Sequence, residues 1–450
     1  MNSSGPGESL EWIEIGLREA LMRDGNGIIA NLYNDRKLLP DNAQPGAMES
    51  IHRNRSRNVH SLFGCFELRR NYFHHARSGS GRFPLDDLLG LEGACTPAVA
   101  RLMCRAASRA GSYREATEDL KAYAGLSFND HDLERMVASL APKLGKSLES
   151  MPQPSAQKPV IDVLYATCDG TGTPMRREEL QGRKGKQEDG SARTREAKLG
   201  CIFTQTDLDA QGTPLRDTDG SPLRDPDSTS YVGTYAGCRE IAVLLHQEAR
   251  RRGLDRAKRV VFIGDGAAWV WENARQTFPG AIEILDFYHA CDHVGQLAAA
   301  IHDQNPDQCA SLRERWCHEM KQSSPDALLA QSHALLAANP KWPEAKRKAI
   351  QAQINYLESH STRTRYGQYR QEGLFIGSGV VEAACKTVVG RRLKQSGMFW
   401  SEVGAENILS LRCLVLGPHF NAAWKELKNH NAQLQSRDRR WSSDDIILPA

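Results

Sequence analysis

Two aspartates in this chain of 450 residues sit where an α/β protein gathers its chemistry. Asp169 follows the apolar run Val160 to Thr167, and Asp265 follows Arg259 to Ile263. The local sequences are Thr167-Cys168-Asp169-Gly170-Thr171 and Ile263-Gly264-Asp265-Gly266. Functional groups in an open α/β sheet collect at the carboxyl ends of strands, so carboxylates ending neighbouring strands would project into one site. The glycine behind each lets backbone or ligand approach closely. A strand ending in Asp-Gly is equally an ordinary turn, and neither aspartate decides the matter alone. Paired hard oxygen ligands suit Mg²⁺ or Mn²⁺. Two such ions about 3.5–4 Å apart can activate a water or a 3′-hydroxyl and stabilise the leaving oxygen of a phosphodiester.

That chemistry needs a third carboxylate, which a helix packed on the sheet after its last strand would supply. Glu382 is the leading candidate, in Gly377-Ser-Gly-Val-Val-Glu382-Ala-Ala-Cys-Lys386. Its neighbours Val380, Val381, Ala383 and Ala384 are small or apolar, which argues against a merely solvated helix face. Lys386, four residues on, is expected on the same helical face. Arg391, Arg392 and Lys394 follow as candidates to hold DNA phosphates. A second basic segment offers Arg176, Arg177, Arg183, Lys184 and Lys186 for contact with a DNA backbone. Local clusters matter here because the net charge, +3, says little. A charge run is usually just a solvated face.

The elements that would position these groups begin at Pro159. Val160 to Thr167, Leu199 to Thr206 and Ser230 to Thr234 read as strands, then Cys238 to Arg252 as a helix. Arg259 to Ile263 is a fourth strand, Ala267 to Phe278 a helix, and Ala281 to Leu285 a fifth strand. Beyond His289 the chain turns helical, with Trp316 and Trp342 as expected core anchors. Gly377-Ser378-Gly379 then breaks the pattern, and helices follow over Val380 to Lys394 and Glu402 to Leu414.

Upstream, Glu11 to Leu32 reads as an amphipathic helix and Asn58 to Phe73 as a hairpin turning near Gly64. Helices are expected over Thr96 to Arg109 and from a Ser112 cap to about Tyr123. Gly125 stops the latter, and Ser127 is positioned to cap another through Leu133 and Val137. This last pair reads equally as a helix-turn-helix and as two packed helices of a bundle. Pro152 to Lys158 looks like a linker. Between the second and third strands, Gly212-Thr-Pro-Leu-Arg-Asp-Thr-Asp219 is repeated at once as Gly220-Ser-Pro-Leu-Arg-Asp-Pro-Asp227. Its composition means loop, as from a slipped duplication on a tolerant surface. The bidentate glutamate of a calcium loop is missing.

Composition excludes several classes. The 40% hydrophobic and 25% charged fractions are those of an ordinary globular protein, and the length implies two or three domains. No apolar run reaches the ~18 residues of a membrane span, and Met1 to Leu10 carries no secretion signal, so the expected setting is cytoplasmic. The 11 cysteines are scattered without a Cys-x-x-Cys pair, indicating neither a disulfide framework nor a zinc knuckle.

Taken together, the motifs resemble those of ISKra-type bacterial insertion-sequence transposases. They are Cys168-Asp169-Gly-Thr-Gly, Ser230-Tyr-Val-Gly233, Gly264-Asp265-Gly-Ala-Ala-Trp269-Val-Trp271 and Asp286-Phe-Tyr-His289. The Glu382 segment, Lys394-Gln-Ser-Gly397-Met-Phe-Trp400 and, upstream, Phe83-Pro-Leu-Asp86 with Leu89-Gly-Leu91 complete the set. The resemblance implies an α/β fold: an RNase H-like mixed sheet core with a helical insertion. A mostly α-helical N-terminal DNA-binding region containing a β-hairpin would precede it. It further implies that the first and fourth strands are adjacent at the sheet centre. Asp169, Asp265 and Glu382 would be the catalytic metal ligands for two Mg²⁺ or Mn²⁺ ions. Asp286 and His289 would be auxiliary residues that help position the DNA strand, although His289 reads equally as a satisfied histidine at a strand end.

The domains expected are a disordered tail over 1–10, an N-terminal DNA-binding region over 11–151 and a core over 159–289. A helical insertion over 290–376, the rest of the core over 377–425 and a tail over 426–450 follow. The implied activity is cleavage and joining of DNA at an element's inverted-repeat ends, with element and target DNA as partners, a homo-oligomer and no membrane. A structure-specific nuclease on the same fold, or a transposase-derived DNA-binding protein, are the rival readings.

Overall fold

A charged hairpin anchors the N-terminal part of the chain. The computed structural model describes residues 6–39, 41, 43–46, 48–151, 160–185, 190–218, 220–302 and 305–438. The expected linker over Pro152 to Lys158 and the basic residue Lys186 lie outside these. The chain divides into two compact units, Met1–Met151 with Phe420–Ala450, and Pro152–His419.

In the first unit, α1 (Pro6–Asn34) starts earlier than the expected disordered tail allows. The hairpin is longer than the sequence suggested, pairing β1 (Glu49–Ser61) with β2 (Gly64–His75), and β3 (Gly81–Arg82) adds an edge. Its far end, Ile51-His-Arg-Asn-Arg-Ser-Arg57, is largely exposed and lacks the apolar alternation that marks a half-buried strand. Near the turn Val59, Phe66 and Leu68 bury, with Leu85 of α2 (Pro84–Leu89) against them, and at the far end Phe73 of β2 is buried as well. The Phe83-Pro-Leu-Asp86 motif has a structural purpose here. Arg70 pairs with Asp86 at 2.6 Å while its guanidinium sits 3.9 Å over the Phe83 ring.

Helices α3 (Pro97–Arg109), α4 (Tyr113–Ala124) and α5 (Asp130–Ser150) follow. Ser112 caps α4 as expected, accepting from Glu115 N at 3.0 Å. The cap of α5 is Asn129, not Ser127: Asn129 and Asp132 bond each other's backbone N–H reciprocally, which satisfies two donors at once. The C-terminal helix Phe420–Asp438 belongs to this unit and packs on α5. Residues 426–438 are thus helix rather than the tail expected.

The second unit holds a five-stranded mixed sheet of β4 (Ile161–Pro174), β5 (Thr194–Gln205), β6 (Ser230–Thr234), β7 (Ala257–Gly264) and β8 (Ile282–Leu285). Their spatial order is β6-β5-β4-β7-β8, so the unit's first and fourth strands are neighbours at the centre. The three leading strands are antiparallel, whereas β4 with β7 and β7 with β8 are parallel. Helices α6 (Cys238–Arg252) and α7 (Ala268–Thr277) join them in the order read from the sequence.

Helices α8 (Phe287–Ile301), α9 (Pro306–Gln322), α10 (Asp326–Ala338), α11 (Glu344–Ser359) and α12 (Tyr366–Gln371) come next. They share one apolar core with the sheet, in which Trp316, Ile354, Leu357 and Tyr366 pack among strand residues such as Val261 and Ile284. Trp316 is buried; Trp342 is only partly so, with the Lys346 ammonium 4.8 Å over its ring. The last stretch is α13 (Gly379–Ala384), a π-helical turn over Cys385–Gly390, α14 (Arg391–Leu393) and α15 (Glu402–Leu416).

The tandem repeat is an ordered ladder. Asp209 Oδ1 accepts from Thr213 N and Asp217 Oδ1 from Ser221 N, each at 2.8 Å. Asp225 departs from this pattern and ties the loop back to β5, accepting from Thr206 N at 2.8 Å and Thr204 Oγ1 at 2.6 Å. Leu215 N bonds Asp207 O, and Leu223 N bonds Leu215 O, so each eight-residue step stacks on the one before. The aspartates are turn caps, which is why they are there without a calcium ligand set.

Candidate active site

Asp169, Asp265 and Glu382 line one cavity of about 360 Å³, together with Cys168, Asp286, Tyr288, His289 and Ser378. They arrive from three elements. Asp169 lies within β4, opposite Leu199 of β5, and not just beyond the strand as its Asp-Gly sequence suggested. What ends near it is the pairing with β7, whose last rung is Thr167 with Ile263. Asp169 therefore stands at the fork where β4 and β7 part. Asp265 is the first residue past β7, on the other arm of the fork, and its Oδ1 accepts from Ala267 N at 3.1 Å.

Glu382 reaches the fork from α13 because a chain of contacts returns residues 373–378 to the sheet. Gln205 Nε2 donates to Gly373 O at 3.3 Å, and Phe375 N donates to the Tyr165 hydroxyl at 3.2 Å. The Phe375 ring stands edge-on to Tyr165 and Phe203, which stack on each other at 4.6 Å. Phe287 N then bonds Ile376 O at 2.9 Å. The last clamp is Asp286, buried at 1% exposure: Oδ1 accepts from His289 N at 2.6 Å and Oδ2 from Ser378 N. Ser378 Oγ in turn donates to Glu382 Oε1 at 3.3 Å. Asp286 is thus a cap for α8 and a latch for α13, with both oxygens occupied by backbone.

Electrostatics place the carboxylates within one another's field. Burial pushes the Asp169 carboxyl up, with the charges of Asp265 and Glu382 adding to it and the Gly170 N–H opposing. Cys385 Sγ lies 3.6 Å from Asp169 Oδ2, and burial with the Asp169 charge holds the thiol up at about 12. It is therefore a neutral S–H donor at neutral pH. Among the described residues, no three His, Cys, Asp or Glu side chains are already drawn to metal-ligating spacing. The donor set itself, all oxygen and all anionic, is that of a hard divalent cation.

The helical insertion braces this cavity. Tyr356 of α11 donates to Asp265 O at 3.4 Å, and burial keeps its hydroxyl protonated. Gly266, at φ 93°, makes that possible, since a Cβ there would lie 2.1 Å from the Tyr356 oxygen. The His293 ring stacks on Tyr356 at 3.5 Å and meets Gln353 Oε1 at 2.7 Å, and His289 stands edge-on to His293 at 5.2 Å. Burial, then the His289 charge, lowers the His293 pKa, partly offset by the Gln353 bond. Tyr356 escaped the sequence reading, and His293, Cys385 and Ser378 were given no part in the site there, because none belongs to a spacing pattern that carries chemistry by itself.

The basic candidates divide. Lys386 and Arg391 are exposed, and Lys394 is exposed with its ammonium on Thr171 Oγ1. No ion pair joins Lys386 to Glu382, since the helix widens into the π-turn at Cys385 and shifts the register. Arg392 is a correction: at 1% exposure, with its guanidinium 5.0 Å over the Trp400 ring, it is a core residue that cannot reach a phosphate. Arg176, Arg177, Arg183 and Lys184 are exposed. A further cation, Lys198, is buried beside the cavity, paired with Glu196 and 4.3 Å over Trp269.

No known family model matches this chain, and no curated protein does. Among solved structures it is similar to the "Drosophila P element transposase strand transfer complex", at 8% identity and a TM-score of 0.33. The match covers 72% of this chain and 93% of that one. A TM-score this low leaves the sheet order and the carboxylate cavity to carry any functional reading.

Proposed function

We propose that this protein is a DDE transposase of the ISKra type, with an RNase H-like core that cleaves DNA at an element's inverted-repeat ends and joins it to a target. The observation that carries the reading is the convergence of Asp169, Asp265 and Glu382 on one cavity, at the fork of central strands in a sheet ordered β6-β5-β4-β7-β8. The three carboxylates would hold two Mg²⁺ or Mn²⁺ ions, which supply an activated water or 3′-hydroxyl and neutralise the leaving oxygen. Around them, Ser378 orients Glu382 and Cys385 donates to Asp169. Tyr356 fixes the backbone of Asp265. Lys386, Arg391 and Lys394, with Arg176, Arg177, Arg183 and Lys184, are positioned for phosphates. His289 lines the cavity and is the auxiliary group free of a capping duty; Asp286 acts through Ser378. Two ends must be handled together, so a homo-oligomer on DNA in the cytoplasm is part of the proposal.

The test incubates purified protein with labelled element ends and Mg²⁺ or Mn²⁺. Wild type is expected to give cleaved and strand-transferred products, and Asp265→Asn neither. An Asp265→Asn variant that cuts and joins like wild type would sink the assignment, while cutting without joining would favour a nuclease.

A further inference from the structure

Tyr288 lines the carboxylate cavity and also a second, larger one of about 820 Å³. Three parts of the unit wall this second cavity. The tandem-repeat ladder contributes Arg216 and Arg224, the insertion contributes Lys321 and Arg370, and α13 contributes Val380 and Ala383. No aspartate or glutamate lines it. Arg216 donates to the Gln371 carbonyl at 3.1 Å, and Arg370 to Gln322 Oε1 at 3.0 Å, both neutral acceptors. The Lys321 ammonium lies 5.7 Å over the Phe287 ring, and Arg224 is exposed. None of the four is ion-paired to a carboxylate among the described residues. Neutral acceptors leave a positive field that concentrates anions.

Beside this field stands a largely exposed aromatic ring, which packs edge-on to Phe287 and close to Gly377. Tyr288 is 65% exposed, at the second position of a helix whose apolar face is already filled by Phe287 and Ala290. Its ring touches Phe287 edge-on at 5.6 Å, and its 65% exposure leaves ring surface open to a partner.

We infer that this cavity receives a single-stranded stretch of nucleic acid continuous with the strand at the carboxylates. One base stacks on Tyr288, and the following phosphates meet Arg216, Arg224, Lys321 and Arg370. Cationic grooves flanked by aromatic platforms are how single strands are held without sequence preference. The ladder then has a purpose: its repeat sets two arginines eight residues apart on the rim. This inference rests on the phosphodiester reading above for the strand's continuity, not for its binding.

Fluorescence anisotropy with the full chain tests it, comparing one duplex as a blunt end and with a short single-stranded oligothymidine tail. Wild type is expected to bind the tailed form about tenfold tighter or more. Tyr288→Ala, and separately Arg224→Gln with Lys321→Gln, should erase that preference while melting like wild type; Tyr288→Phe should keep it. The double charge variant should also reduce the salt slope for the tailed DNA by about 1.4, at ~0.7 per phosphate contact. Equal binding of tailed and blunt DNA by wild type, or a preference that survives in both variants, overturns the inference. The two readings separate cleanly. Tail preference without cutting by wild type keeps the groove and drops the transposase, and cutting without tail preference does the reverse.

Discussion

With both oxygens taken by backbone N–H groups, Asp286 couples the cap of α8 to the first turn of α13. An asparagine there offers one acceptor and one donor where two acceptors are needed, leaving a buried N–H facing another. Asp286→Asn should therefore cost about 1–3 kcal/mol in denaturant unfolding. It should lower cleavage by roughly 10–100-fold through a misplaced Glu382, as losses of ligand-orienting groups do. Unchanged cleavage in a folded variant would remove Asp286 from the site. A second buried carboxylate gives a pH signature. Glu248, 1% exposed, pairs with His419 at 2.6 Å and Arg251 at 3.0 Å. Burial opposes its charge, but the His419 bond and charge, with Arg251, hold the carboxyl below its ordinary value of 4.5. A depressed pKa means the unfolded chain takes up the proton first. The stabilisation is present above about pH 4.5 and is lost as pH falls through the lower folded value. Glu248→Gln should cost ~3–5 kcal/mol near neutrality, and the gap from wild type should close on acidification. A gap constant with pH would show that the charge is not what stabilises.

Between residue and molecule, the elements differ in how plainly the sequence announced them. β6 and α6 were legible to the residue because Gly237 and Gly253 bracket the helix and Ser230 to Thr234 is a short segment centred on Tyr231 and Val232. β4 was read too short: Cys168-Asp-Gly-Thr-Gly-Thr173 has weak strand propensity, and only pairing with β5 keeps it extended. The π-turn over Cys385–Gly390 was invisible, because what sustains it lies on another helix. Arg412 of α15, 2% exposed, donates Nε to Val388 O at 2.5 Å and Nη2 to Thr387 O. Arg412→Leu strands both carbonyls, and each costs about 1–3 kcal/mol. The expected result is a lower melting temperature and weaker cleavage together. A variant that melts lower but cuts normally would mean the π-turn does not set Glu382.

For the molecule as a whole, the aspartates at the fork of β4 and β7 could be argued from strand ends, whereas Glu382 could not. A long helical stretch separates it from the sheet in sequence, and its return depends on Gln205, Tyr165 and Asp286, contacts no periodicity encodes. The same limit hid the C-terminal helix, which returns to the first unit, where Phe420, Ala423, Trp424 and Leu427 are buried. Removing residues 420–450 should destabilise that unit by roughly 5 kcal/mol, at ~1.5–3 kcal/mol for each large side chain exposed. The carboxylate cavity, whose residues all lie in Pro152–His419, should keep its protection. Limited proteolysis checks this: early cuts belong within 1–151, and early cuts within 160–419 would contradict the division.

The ladder over residues 207–225 gives the rim of the larger cavity a discrete gauge. Because the second rung, at Asp217, repeats the bonds of the first, at Asp209, at a pitch of eight residues, the ladder's length can change only in whole rungs without breaking a cap. Deleting Gly212–Asp219 leaves Asp209 facing Ser221 and Arg224 in the berth of Arg216, whereas deleting four residues leaves an aspartate facing no partner. A lineage of such chains would then widen or narrow its groove by steps, each step adding or subtracting one arginine.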